Sequence, residues 1–136
     1  MRTPIQGETD GGPGQWRYVG PSGRPSADYY EESVTFVQRG WVYHAGGKNF
    51  DGFANGALLE AKDGYTSVIE GGQFKPYITS TPSDIVAEAR IAGKLGYPLH
   101  VYTSTAEGRD AFSHALNGVT GVAKQVIFAP KGRVTF

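Results

Sequence analysis

A mixed α/β domain with a central sheet is the fold class this sequence predicts, and three observations predict it. Helical and strand-like patterns alternate from about residue 26 onward, the signature of helices packed on a sheet. Asn55-Gly56 joins the strand-like runs "KNFDGFA" and "ALLEAK", and a type I′ hairpin turn needs φ > 0 at both central residues, which this dipeptide supplies. Two amphipathic helical stretches, "SDIVAEARIAGKLG" and "TAEGRDAFSHALNG", each precede another strand-like run.

The elements follow in order. Residues 1–25 are dense in Gly, Pro and Ser and read as a flexible linker or loosely packed arm, with Trp16 and Tyr18 able to dock a short strand. A leader of this kind is expected where a domain is one module of a longer polypeptide, and 26–136 is read as that domain. "SADYYEESVTFVQ" opens with Ser26 as an N-cap, carries Asp28 in its first turn, and ends early at the β-branched residues and Gly40. "GWVYHAG" reads as a strand turning at Gly46-Gly47. After the hairpin, "GYTSVIEGGQFKPYITSTP" reads as a long loop with a short helix. The next helix is capped by Ser83, striped by Ile85, Ala89 and Ala92, and stopped by Gly96 and Pro98. "PLHVYTS" is a strand, Thr105 caps the last helix, and "AKQVIFAP" is the final strand.

Composition narrows the function classes. The 136 residues suffice for one core, and 39% apolar with 12% aromatic content is that of a globular chain rather than a disordered one. The absence of cysteine excludes disulfides, thiolate metal sites and cysteine nucleophiles. No apolar run reaches the length of a membrane span, and no signal-peptide core stands at the N-terminus. The formal net charge is zero, so the chain does not grip nucleic acid by bulk charge. Its halves differ: residues 1–70 hold six Lys/Arg against nine Asp/Glu, and residues 71–136 hold seven against four. Chance produces such an asymmetry, and so does a cation site beside a phosphate-holding surface.

The hairpin raises the sharpest chemical question. A two-residue turn at Asn55-Gly56 sets Asp51 opposite Glu60, with Lys62 on the same face because side chains alternate at period two. The other face takes Phe50, Gly52, Leu59 and Ala61, a set suited to packing under a helix. Opposed carboxylates destabilise a strand pair. A chain tolerates them if one is protonated, if Lys62 bridges them, or if a hard cation such as Mg²⁺ sits between them. Two acids, a lysine and a cation are also a kit for phosphodiester hydrolysis. A solvated hairpin face whose acids do nothing is the plain alternative.

Asp51 followed by Glu60-Ala61-Lys62 matches the pattern of the PD-(D/E)XK nucleases, whose fold is restriction-endonuclease-like. The blocks "YEESVT", "NFDGF", "ALLEAKDGY" and "EARIAGKLGYPLHVY" resemble one branch of it more closely. That branch is the restriction-endonuclease-fold toxin domains at the C-termini of bacterial polymorphic toxins, the group labelled Tox-REase-5, and the likeness spans about residues 29–130. The resemblance implies a Mg²⁺- or Mn²⁺-dependent endonuclease acting on DNA ahead of RNA. It implies catalytic roles for Asp51, Glu60 and Lys62, with metal held by Asp51, Glu60 and the Ala61 carbonyl. One further acid is implied from the first helix, where Glu32 is preferred over Glu31. Under the resemblance Arg90 would contact phosphate, and Tyr65 and Lys75 are candidates to face substrate because they follow closely after the core motif. The chain departs from the pattern at Arg90-Ile91, where relatives carry Arg-Gln, and at Glu31, where a Gln is frequent. A toxin further implies upstream delivery domains, a cognate immunity protein, synthesis in a bacterial cytoplasm and action in a target cell. A non-toxic nuclease of repair or phage DNA handling is the nearest alternative, and a non-catalytic binding module the more distant one.

Overall fold

The structure, a computed structural model, describes residues 1–132, so the last four residues of the expected 26–136 domain lie outside the described residues. In chain order the elements are β1 (Gln15–Tyr18), α1 (Pro25–Thr35), β2 (Trp41–Ala45), β3 (Lys48–Phe50), β4 (Gly52–Ala54), β5 (Ala57–Lys62), β6 (Ile69–Glu70), β7 (Gln73–Phe74), α2 (Ser80–Leu95), β8 (Leu99–Thr103), α3 (Ala106–Leu116) and β9 (Lys124–Phe128). A 3-10 turn, Thr66–Val68, precedes β6. This is the predicted α/β architecture, with a mixed sheet flanked by helices.

The main sheet runs β4-β5-β8-β9. β4 pairs antiparallel with β5, while β5, β8 and β9 are parallel. Parallel neighbours need crossovers, and α2 and α3 supply them. Leu58 of β5 joins Leu99, Val101, Ile85, Ala89, Ala92 and Phe112 in one core, so α2 and α3 cover that face. Leu59 points the other way, toward α1. A side-chain carbon at Gly52 would come within 2.8 Å of Thr35 Cγ2 and 3.6 Å of Leu59 Cδ1, so α1 seats directly on the sheet because this residue is glycine. β1, β2 and β3 form a separate antiparallel sheet, and β6 pairs with β7.

Several local signals act as read. Ile85, Ala89 and Ala92 are buried, and Gly96 ends α2 in the left-handed region with its N–H on the Ala92 and Gly93 carbonyls. Thr105 Oγ1 accepts the Gly108 N–H at 3.0 Å. Asn55 and Gly56 both have positive φ, 53° and 76°, as the I′ turn requires.

Other expectations are corrected. The first 25 residues are folded onto the domain. The short docked strand expected at Trp16 and Tyr18 is present as β1, paired with β2; beyond it, Trp16 is 0% exposed and Arg2 bridges to Val37. Asp10 accepts from Trp16 Nε1 at 2.8 Å and from Arg2 Nη2 at 2.7 Å, while Arg2 also pairs with Glu8. The Arg2 hydrogen bond holds the Asp10 carboxyl down at about 2. Ser26 does not cap α1. Arg24 occupies the N-cap without a side-chain bond, and Pro25 starts the helix, where its missing N–H costs nothing. Ser26 instead donates to Asp63 Oδ2 at 3.1 Å. Ser83 lies inside α2, which begins one turn earlier at Ser80 because Pro82 is tolerated in a first turn. The loop after β5 contains the β6–β7 hairpin, which the irregular pattern concealed.

Candidate active site

The site grows out of the hairpin. Observed partners are Ala54–Ala57, Phe53–Leu58 and Gly52–Leu59, the register the Asn-Gly turn sets. One more step would place Asp51 across from Glu60, but the ladder stops at Gly52. Asp51 is a bend where the chain leaves the β3 sheet and enters the main one. Had the strand continued, the Phe50 carbonyl would accept the Ala61 N–H. The Asp51 side chain takes that role, with Oδ2 accepting from Ala61 N at 2.8 Å. Asp51 is therefore fixed beside Glu60 by a main-chain hydrogen bond rather than by pairing. The amide and carbonyl of a strand residue leave on the same edge, so the Ala61 carbonyl also faces this bend.

Glu60 is 3% exposed. Its Oε2 lies 3.3 Å from Lys62 Nζ, and its Oε1 has no hydrogen-bond partner among the described residues. Glu88 of α2 approaches from the helix side, 7% exposed, close enough to Glu60 for a carboxyl–carboxylate hydrogen bond, and its Oε2 is likewise unpartnered. Glu31 of α1 lies on the Asp51 side. Four carboxyls thus lie near Lys62, and the charge of the more distant Lys48 reaches Glu88.

Electrostatics follow from this imbalance. Burial, then the Asp51 charge, push the Glu60 carboxyl well above the ordinary carboxylate range, and Lys62 only partly offsets them. Burial raises Glu88 too, against the pull of Lys62. Glu31 is pushed up to about 8 by burial, then by Asp51 and Asp28. Burial alone would lower the Lys62 ammonium, but Glu60, Glu88 and Asp51 outweigh it and hold the lysine protonated. In the metal-free protein Lys62 is therefore favoured as a cation.

A pH dependence follows with a definite sign. An acid whose folded pKa lies above its unfolded value binds more protons when folded, so stability falls as pH rises between the two. The thermal midpoint of the metal-free protein is expected to fall as pH rises from about 4.5 to about 8. Melting curves in EDTA check this, and Glu31→Gln should flatten the slope.

The structure brings Asp51, Glu60, Ala61 and Lys62 together, and separates the rest. Glu32 is not the inward acid. Its carboxylate accepts from Arg39 N at 2.8 Å and Arg39 Nη2 at 2.9 Å, and these bonds lower its pKa. The left-handed Phe36 turns the chain back so that Arg39 meets Glu32, leaving Glu31 to face Asp51. Arg90 is exposed, roughly 200° around the helix from Glu88, and borders a separate groove with Lys94 and Thr120. Lys75 lies in another groove beside Phe74 and His114. The Tyr65 ring packs edge-on against Phe112 at 5.4 Å, so its first role is packing, although its hydroxyl is near enough to influence Lys62. Glu88 was missed by the sequence reading, although an acid on the Ile85–Ala89–Ala92 stripe is a legible anomaly.

A cleft of roughly 240 Å³ lined by Val19, Trp41, Asp28, Glu31 and Asp51 opens on the α1 side of the site, and Glu60 and Lys62 are not among its lining residues. The donor set suits a hard divalent cation: every candidate ligand is oxygen, and the buried Glu60 Oε1 lacks a partner. Among the described residues no three His, Asp or Glu side chains are grouped closely enough to enclose one ion. Mg²⁺ does not need that, because it is held by one or two carboxylates and completed by water and substrate phosphate. No helix among the described residues is long and apolar enough to cross a membrane. Compared with known proteins, the chain matches no family model and no curated sequence.

Proposed function

We propose that this chain is a Mg²⁺- or Mn²⁺-dependent nuclease with a restriction-endonuclease-like core that hydrolyses phosphodiester bonds in DNA. The observation that carries this reading is the buried Glu60 carboxyl, flanked by Asp51 and paired with Lys62 at 3.3 Å on one strand. Asp51, Glu60 and the Ala61 carbonyl would hold the cation. The chemistry such a cation supplies when bound is Lewis acidity, which lowers the pKa of water and offsets charge on phosphate. Lys62, held protonated, is suited to binding a phosphate oxygen. The Ala61 N–H fixes the Asp51 carboxylate, and Asp51 therefore needs no rearrangement to act. Glu31, near neutrality in its proton affinity and opening on the cleft, is suited to moving a proton at the site.

The resemblance in the Asp51 and Glu60–Lys62 blocks supports a toxin module of a delivered bacterial effector. That role entails upstream delivery domains, a cognate immunity protein and action in a target-cell cytoplasm. Zero net charge makes DNA binding modest and salt-sensitive.

Purified protein should nick and degrade plasmid DNA with Mg²⁺, and lose this in EDTA and in Lys62→Ala, by on the order of a hundredfold or more for the lysine. Folded protein that cleaves neither plasmid DNA nor RNA with Mg²⁺ or Mn²⁺ would leave a binding module as the better account.

A further inference from the structure

We propose that Asp63 is a positioning residue for Lys62, holding the end of β5 through a knot of hydrogen bonds shared with Ser104, Ser26 and Lys131. The inference rests on the reading of Lys62 as the group that binds a phosphate oxygen, and it adds a residue that acts through that lysine.

Lys62 stands where the sheet stops supporting the chain. Its pairing with Thr103 is the last of the β5–β8 ladder. Gly64 and Tyr65 follow with φ of 83° and 70°, so the backbone turns away at once, and the left-handed conformation costs free energy at the non-glycine Tyr65. A strand end of this kind frays unless something outside the ladder holds it. Here Ser104 holds it. The Ser104 N–H donates to the Lys62 carbonyl at 3.0 Å, the Gly64 N–H donates to Ser104 Oγ at 2.9 Å, and Ser104 Oγ donates to Asp63 Oδ1 at 2.7 Å. Residues 62–64 are thus each bonded to one serine.

Asp63 anchors that arrangement from the other side. Its Oδ2 accepts from Ser26 Oγ of α1 at 3.1 Å and pairs with Lys131 Nζ at 2.8 Å, and Lys131 also donates to Ser26. One carboxylate therefore joins the end of β5, the turn after β8, the first turn of α1 and the chain beyond β9. As a half-exposed ion pair, Asp63 with Lys131 contributes little to stability. Its orientation matters more. Among the described residues the Lys62 ammonium has one ion-pair partner, Glu60 Oε2 at 3.3 Å, so the lysine's aim depends on a well-held backbone. A displacement of about 1 Å at a reacting centre costs on the order of a hundredfold in rate. A knot that serves stability alone is the competing account, and it predicts no dependence on Lys62.

The test is a double-mutant cycle on plasmid cleavage with Mg²⁺, run below the melting range of every variant. Asp63→Ala is expected to lower kcat by roughly tenfold to a hundredfold. In the Lys62→Ala background the same change should alter kcat by less than about twofold, because the residue it acts through is gone. An equal loss in both backgrounds, or no loss in either, would overturn the proposal while the nuclease reading stood. Amide hydrogen exchange in EDTA, without DNA, gives a readout independent of activity. The Ser104 amide should exchange at least about tenfold faster in Asp63→Ala, while the Leu58 amide, bonded to the Pro98 carbonyl at the start of β5, keeps its rate. Equal acceleration at Leu58 would mark a general loss of stability and overturn the proposal. A wild type that cleaves nothing would remove the nuclease reading, and the exchange rates would then decide whether Asp63 holds the Lys62 backbone. Ser104→Ala, which opens the same knot and leaves the Asp63–Lys131 pair, provides both comparisons if Asp63→Ala fails to fold by circular dichroism.

Discussion

Glu60→Gln is expected to lose DNA hydrolysis by on the order of a thousandfold while the metal-free protein becomes more stable. The two effects share one cause. Glu60 is the most buried acid of the cluster, and its ionised form is opposed by burial and by the Asp51 charge. An amide of the same shape removes that repulsion and can donate to the neighbouring carboxylates. Lys62 loses its ion pair with Glu60 in this variant, while the nearby Glu88 and Asp51 charges still favour its protonated form. The gain should be a few degrees in thermal midpoint, on the scale of about 1 kcal/mol. An activity loss accompanied by an equal stability loss would instead mark Glu60 as a packing residue. Plasmid cleavage and melting of the same preparation in EDTA check both halves.

Trp16→Ala is expected to have the largest effect on stability, about 3–5 kcal/mol. Trp16 is 0% exposed, meets Tyr43 edge-on at 5.3 Å, and donates to Asp10. Tyr43 in turn stacks on Phe53 of the hairpin at 4.9 Å, so the N-terminal strand is linked through aromatic contacts to β4, the strand that follows the Asp51 bend. Against a typical total of 5–15 kcal/mol, the loss would bring the protein near unfolding. An arm that merely leaned on the domain would show almost no effect. Urea unfolding checks this, with the exposed Val19→Ala as the neutral control.

What the sequence disclosed and concealed divides along a physical line. The hairpin register was legible because the Asn-Gly turn and the two-residue period are local. The bend at Asp51 was not, because it depends on the chain changing sheets, which no local pattern announces. Gly and Pro in the first 25 residues suggested mobility, and composition cannot show that Trp16 finds a closed pocket against Tyr43. Glu31 and Glu32 differ by about 100° around the helix, and the choice between them was decided by Arg39, which the left-handed Phe36 brings back. Glu88 could have been found, because its position among buried alanines and Ile85 breaks an otherwise apolar stripe.

The central claim is that the carboxyls around β5 are a charge-strained site relieved by a divalent cation. Its most direct test is the thermal midpoint at pH 8 as Mg²⁺ is added, for the wild type and Glu60→Gln side by side. The wild-type midpoint should begin lower and climb with Mg²⁺ concentration, as linkage requires of an ion bound only by the folded state, while the variant begins higher and stays flat. A wild type indifferent to Mg²⁺ and Mn²⁺, with a variant that melts below it, would contradict the account.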